Sequence, residues 1–122
     1  MKLQLATPSG QNLFTGYGPG YVAINRVRYD KHIVVAADSI TEWNISGFET
    51  LGVAHFESLL ALKPEIVILG TGATLRFPRR ELARLLTAAG VGFEVMDSKA
   101  ACRTYNILIA EGRKVLAAIL ID

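Results

Sequence analysis

Residues 64–72, which read PEIVILGTG, constrain the fold of this chain more than any other segment. Positions 66–69 are an uninterrupted apolar run, the kind found in strands that helices cover on both faces. A small glycine-flanked loop, 70–72, follows at once. In sheets that alternate with helices, ligands usually bind at the carboxyl ends of the strands. The segment therefore predicts a buried strand with a candidate site at its end.

Helical and strand-like patterns alternate around and after this run. Apolar residues spaced three and four apart indicate helices, and Pro64, Gly90 and Gly112 mark where helices stop. The predicted elements are helices at 56–63, 78–90 and 98–111, with strands at 66–69, 93–96 and 115–121. Strand, helix, strand, helix, strand predicts a parallel βαβαβ core built by right-handed crossovers.

The first fifty residues predict antiparallel strands instead. A strand at 21–29 is followed by Asp30-Lys31 as a tight turn and by a returning strand at 32–37, which together predict a hairpin. A third strand is predicted at 38–45. The predicted fold class is α/β, with a mixed sheet whose parallel core is flanked by helices, plus an N-terminal antiparallel β-hairpin. At 122 residues, we expect one domain spanning 1–122.

Charge and composition exclude several classes of function. The chain has 13 basic and 11 acidic residues, too balanced a charge for nucleic-acid binding. No apolar run approaches the roughly 20 residues of a transmembrane segment. Residues 1–8 lack the apolar core of a secretory signal, so we expect a cytoplasmic protein. One cysteine and two distant histidines, His32 and His55, predict no metal site, and no cofactor is predicted.

Two loops that follow neighbouring predicted strands supply a candidate site for a small anionic ligand. Glycine N–H groups at 70–72 can hold an anion, and Arg103 can pair with a carboxylate or phosphate. Leu75 stands where a dinucleotide fingerprint needs its third glycine, and the Gly-Lys-Ser/Thr of a P-loop is absent. The candidate ligand-binding residues are Gly70, Thr71, Gly72, Asp97, Ser98, Arg103 and Thr104.

Each of these residues also has a purely structural interpretation. Positions 70–72 can form a tight turn without a ligand, and Asp97-Ser98 can cap the third helix by accepting its free N–H groups. Arg103 can form a structural ion pair with Asp97 or Asp38. The sequence leaves both interpretations open.

Cys102 lies near the start of the same predicted helix, beside Arg103. A helix N-terminus and a neighbouring arginine stabilise a thiolate, which makes Cys102 a candidate reactive thiol. The alternative is a small buried thiol packed against the sheet. Nucleophilic catalysis also needs a base within reach, and nothing brings His32 or His55 near. The sequence therefore predicts no catalytic residues, and we favour a protein that is not an enzyme.

Aromatic and basic residues outside these loops receive structural interpretations. Trp43, the single tryptophan, is predicted to pack in the core, with a partner surface as the alternative. Arginines cluster around the second predicted helix, and such a cluster is usually a solvated face. They are Arg76, Arg79, Arg80 and Arg84.

Two longer segments resemble a known family. One is 64–72 continuing to Phe77-Pro78, and the other is 90–97 continuing through 101–106 to 111–113. With Trp43 and the upstream hairpin, the chain resembles the small α/β domain family of unknown function that includes mitochondrial complex I assembly factor 3 and an adipogenesis-associated protein. The resemblance implies a mixed sheet with a separate β-hairpin, and it brings no agreed catalytic residues.

The mitochondrial members of that family act in assembling a membrane complex, which implies a protein partner. We therefore predict a non-catalytic interaction or assembly module. The alternative is a small anionic-ligand-binding protein or enzyme that uses a pocket between the Gly70 and Asp97 loops.

Overall fold

The described residues, 10–122 of this computed structural model, form two sheets, with helices packed on the larger one. In chain order the elements are β1 (Phe14–Gly18), β2 (Tyr21–Ile24), β3 (Val27–Tyr29), β4 (Ile33–Ala36), β5 (Ser39–Glu42), α1 (Val53–Leu60), β6 (Ile66–Gly70), α2 (Arg80–Ala88), β7 (Gly92–Met96), α3 (Ser98–Ala110) and β8 (Val115–Ile119). The prediction that no secretory signal is present concerns residues 1–8, which lie outside the described residues.

The larger sheet has five strands in the order β5-β4-β8-β6-β7. β6 lies between β7 and β8 and runs parallel to both, with Ile66 aligned to Gly92 and to Val115. β4 joins β8 in the antiparallel direction, so the sheet is mixed. The predicted parallel βαβαβ core is confirmed.

α3 begins at Ser98 as predicted, and α2 starts two residues after Pro78 because Arg79 keeps an extended backbone. α1 lies at 53–60 instead of the predicted 56–63, and Lys63 has a left-handed φ of 54° that a helix cannot contain.

Helices and strands cover β6 on both faces, which explains its continuous apolar run. On one face Ile68 packs with α3 and with the smaller sheet. On the other face Val67 and Leu69 pack with α1 and α2, in a second core that includes Trp43. Trp43 is 6% exposed, so the predicted core role is confirmed.

The predicted hairpin is wrong in its pairing. The chain turns at Asn25-Arg26, whose φ angles are 49° and 71°, and β2 therefore pairs with β3 and with β1 in a three-stranded antiparallel sheet. Two successive left-handed residues form the turn whose twist suits a two-residue hairpin loop, and Asn tolerates that conformation well. β4 pairs instead with β5 and β8. The sequence does not predict this turn, because apolar residues on both sides of it give 21–29 the pattern of one continuous strand.

Side-chain hydrogen bonds attach the smaller sheet to α3. The Asn106 side chain accepts from Phe14 N at 2.9 Å and donates to Phe14 O at 2.8 Å. The buried Tyr105 hydroxyl donates to Asn12 O at 3.1 Å, and its ring meets Phe14 edge-on with centroids 5.2 Å apart. The Asn12 side chain donates to Ala36 O at 2.9 Å, which ties the same region to the larger sheet.

Replacement of Asn106 by alanine should destabilise the fold. Asn106→Ala removes both hydrogen bonds to Phe14 and leaves two partly buried backbone groups without partners, which costs about 1–3 kcal/mol. Urea unfolding measures this as a lower midpoint. Asn44→Ala is the control, because Asn44 is exposed and should change the stability by less than about 0.5 kcal/mol. Equal stability of Asn106→Ala and the wild type would contradict the proposed attachment.

Candidate functional site

Gly70 ends β6 directly beneath the start of α3. A side chain at this position would place its Cβ 2.9 Å from Ser98 Oγ, 3.0 Å from Ile119 Cδ1 and 3.1 Å from Ala101 Cβ. The first of these contacts is shorter than real Cβ atoms show, and the other two are tighter than most. Glycine therefore lets the helix approach the strand this closely, and this steric role needs no ligand.

Ser98 joins the two loops that the sequence predicts as the walls of a pocket. Its hydroxyl donates to Leu120 O at 2.7 Å and accepts from Gly72 N at 2.8 Å. Its own backbone N–H donates to Gly72 O at 2.9 Å. The loops after β6 and β7 are thus in direct contact through Ser98, which is 9% exposed. Open space begins only beyond Gly72 and Ser98.

Thr71 holds the loop that leads from β6 to α2. It is fully buried, and its hydroxyl donates to Thr74 O at 2.7 Å while accepting from Arg76 N at 3.1 Å. The Arg76 guanidinium donates to Thr71 O at 2.7 Å and lies over the Phe48 ring at 4.7 Å from the centroid. The sequence predicts that Arg76 lies on a solvated arginine face, but its guanidinium contacts the protein instead.

Asp97 and Arg103 take different structural roles. Asp97 caps α3 by accepting from Ala100 N at 2.9 Å, which is the capping interpretation. The exposed Arg103 donates to the Tyr17 hydroxyl at 2.9 Å and makes no ion pair with Asp97 or Asp38. Thr104 is half-buried on α3 and lies outside the open space next to Gly72.

Cys102 has the surroundings of a packed thiol. It lies on the buried face of α3, is 1% exposed and packs in the core between the helix and the sheets. Burial raises the pKa of the Cys102 thiol to about 12, and the opposing effect of Arg103 is smaller. The stabilised thiolate that a reactive cysteine requires is therefore not favoured in the folded protein.

A cavity of about 270 Å³ lies between the β1–β2 turn and the contact of Gly72 with Ser98. Most of its lining is apolar, with Tyr17, Lys99 and Asp122 adding polar groups. The Asp122 carboxylate accepts from Ala73 N at 2.8 Å. Of the predicted residues, Gly72 and Ser98 line this cavity, and Arg103 reaches its rim through Tyr17. The other lining residues carry no local sequence pattern, because the β1–β2 turn and residues 120–122 meet only in the folded chain.

Both histidine side chains accept hydrogen bonds from backbone N–H groups. His32 Nδ1 accepts from Ile121 N at 2.9 Å, and His55 Nδ1 accepts from Gly52 N at 2.9 Å. Across the described part of the chain, no group of three or more His, Cys, Asp or Glu side chains is arranged to hold a metal ion.

The loop between β6 and α2 presents apolar side chains to solvent. Leu75 is 51% exposed and Phe77 is 72% exposed, the largest exposed fraction among the large hydrophobic residues of 10–122. The neighbouring Arg80 and Arg84 are also exposed. The sequence does not predict the exposure of Phe77, because one aromatic residue beside a proline has no periodicity to reveal it. We call the four residues the Phe77 surface.

Comparison with known proteins places the chain in a family. A family described as "Protein of unknown function (DUF498/DUF598)" matches residues 14–120. The chain belongs to this family. The expected resemblance is therefore confirmed, and the family relation extends through every strand and helix from β1 to β8.

Relatives within this group carry varied descriptions. A "13 kDa major membrane protein" of Francisella tularensis subsp. holarctica is 30% identical over 98% of this chain and 99% of its own length. NADH dehydrogenase [ubiquinone] 1 alpha subcomplex assembly factor 3 of Bos taurus is 28% identical over 97% of this chain. The alignment spans 65% of that bovine protein, less than two thirds.

Solved structures of related proteins share the fold. A crystal structure of a Bordetella parapertussis protein has a TM-score of 0.88 and 38% identity, covering 94% of this chain and 99% of its own.

Within residues 10–122, none of the helices has the length and apolar character to cross a bilayer.

Replacement of Ser98 by alanine should weaken the junction of the two loops. Ser98→Ala leaves Gly72 N and Leu120 O without their buried partner, at a cost of about 1–3 kcal/mol. Urea unfolding gives the stability change, and hydrogen exchange of the Gly72 amide should accelerate. Ser58→Ala is the matched control, since the exposed Ser58 bonds only Ala54 O of its own helix. An unchanged unfolding midpoint in Ser98→Ala would show that the junction does not depend on this hydroxyl.

Proposed function

We propose that this chain is a non-catalytic protein-binding module that acts in the assembly of protein complexes. The observation that carries the proposal is the exposure of Phe77, 72%, on a loop that internal hydrogen bonds hold in place. Aromatic residues and arginine are enriched where proteins bind each other, and an exposed aromatic side chain on a fixed backbone loses little freedom on binding.

The chemistry of the remaining groups supports a non-catalytic role. In the described chain, His32 and His55 accept backbone N–H groups, and Cys102 is buried with a raised pKa. The Ser98 hydroxyl already has a donor and an acceptor partner. None of these side chains is arranged as a nucleophile with a base beside it.

The family relation adds independent support. A relative carries the name of a complex I assembly factor, and assembly factors act by binding other proteins. By analogy we extend such a binding role to this chain. The cytoplasmic location expected from the sequence stays a prediction.

Replacement of Phe77 by serine should strongly weaken partner binding. Tagged wild-type protein, after cross-linking in the cells that encode it, should retain a specific partner. Phe77→Ser should reduce that partner by about 30-fold, which corresponds to a hot-spot contact of about 2 kcal/mol. Ile107→Ser is the matched control, because Ile107 is 59% exposed on α3. The proposal fails if the two variants retain the partner equally or if the wild type retains none.

A second candidate function is the binding of a small anionic molecule. The observation that favours it is the cavity beside Gly72 and Ser98, at the carboxyl ends of β6 and β8, with Lys99 in its lining. Ligands of α/β sheets usually lie at this edge. Arg103 at the rim would supply a second cation.

A thermal unfolding screen with organic acids and nucleotides tests the second candidate. A ligand present at 100 times its dissociation constant should stabilise the wild type by about 2.7 kcal/mol. Lys99→Ala should remove most of that gain, because the ligand's carboxylate or phosphate in the cavity loses the cation that balances it. Lys114→Ala, at the opposite end of β8, should keep it. If no compound stabilises the wild type, or if Lys99→Ala responds like the wild type, this candidate is excluded.

A further inference from the structure

Two arginines on the Phe77 surface have no internal carboxylate to balance them. Arg79 lies 3.8 Å from Glu81, and Arg76 lies 3.6 Å from Glu49 and 3.8 Å from Asp122. Within residues 10–122, neither Arg80 nor Arg84 forms an ion pair. The surface therefore combines apolar side chains with two unbalanced positive charges.

The spacing of the two arginines places them on one side of α2. They are four residues apart, so they lie one above the other on the helix and repel each other. Leu82 and Leu86 are buried against the larger sheet on the opposite side. Arg80 and Arg84 consequently face away from the core, where a partner's carboxylates would relieve their repulsion.

The apolar and charged parts of the surface are close enough for one short segment to contact both. Phe77 and Arg80 are three residues apart, at most about 11 Å between Cα atoms. Arg84 lies one further helical turn away, about 6 Å along the axis. A single peptide helix of about three turns could span this distance.

We infer that the partner segment is an acidic peptide with apolar side chains. Its apolar residues would pack on Leu75 and Phe77, and its carboxylates would bind Arg80 and Arg84. Guanidinium groups bind carboxylates in a two-pronged geometry that gives both strength and orientation. This inference rests on the proposed protein-binding function and specifies its partner.

The charges around the surface favour a peptide over a lipid bilayer. Glu49 lies beside Arg76 and Glu81 beside Arg79, next to the Phe77 surface, with side chains 80% and 65% exposed. A uniformly anionic membrane would be repelled by these carboxylates as well as attracted by the arginines. A peptide can set individual carboxylates against individual arginines and avoid both acids.

Fluorescence anisotropy with two matched peptides tests the inference. One labelled amphipathic peptide contains leucine, phenylalanine and glutamate, and the other has lysine in place of every glutamate. The wild type should bind the glutamate peptide about tenfold more tightly than the lysine peptide, the effect of two exposed charge pairs of about 0.7 kcal/mol each. Arg80→Glu/Arg84→Glu should reverse this preference, and Phe77→Ser should weaken binding of both peptides.

A control variant separates local from general charge effects. Arg26→Glu/Lys31→Glu changes the net charge equally at exposed positions outside α2 and its preceding loop, and it should bind like the wild type. The inference is overturned if the wild type binds neither peptide, or both equally, or if Arg80→Glu/Arg84→Glu keeps the glutamate preference. Sedimentation with vesicles of equal parts phosphatidylcholine and phosphatidylglycerol tests the alternative that the Phe77 surface binds an anionic membrane. Vesicle binding that Phe77→Ser abolishes, without peptide binding, also overturns it.

Retention of the cross-linked cellular partner distinguishes the protein-binding function from the acidic nature of the partner. If Phe77→Ser loses that partner and Arg80→Glu/Arg84→Glu keeps it, the protein-binding function stands and the acidic nature of the partner is refuted. If both variants keep the partner, the Phe77 surface itself is refuted.

Discussion

The hydroxyl of Ser98 connects three parts of the chain that no local interaction would bring together. It joins the loop after β6 to the end of β8, at the first turn of α3. Because Gly70 has no side chain, the helix can come close enough for these bonds to form. The junction also positions residues 120–122, where Asp122 accepts from Ala73 N and faces Arg76. The start of the loop that carries Leu75 and Phe77 is thus bonded to this junction, through Gly72 N to Ser98 and Ala73 N to Asp122.

The hydrogen bonds around Ser98 use backbone N–H groups at the carboxyl edge of the sheet that a ligand could otherwise bind. In many α/β proteins the loops at this edge leave their N–H groups free for a ligand. Here Gly72 N and Thr71 N are already bonded, to Ser98 Oγ and Met96 O. The loop uses its polar groups to fix its own shape, and what it offers outward is apolar and cationic. The proposed protein-binding function rests on this outward chemistry.

Local sequence signals identified the elements that depend on local physics. The apolar run of β6, the Asp97 cap of α3 and the stop at Gly90 follow from burial, capping and left-handed backbone, and each could be predicted. The pairing of β2 was missed, because the left-handed pair at Asn25 and Arg26 lies between apolar residues that mimic a single strand. The cavity lining and the exposure of Phe77 arise from tertiary contacts, which a single sequence does not encode in any local pattern.

The attachment of Asn106 to Phe14 has a consequence for association between chains. The Asn106 side-chain amide has both an acceptor and donors, and it bonds both polar backbone groups of Phe14, so Asn106 fills this position on the outward edge of β1. An edge strand with free backbone groups is a template for pairing with another chain. With this position filled from α3, the smaller sheet is closed at Phe14 against extension by a strand from a second molecule.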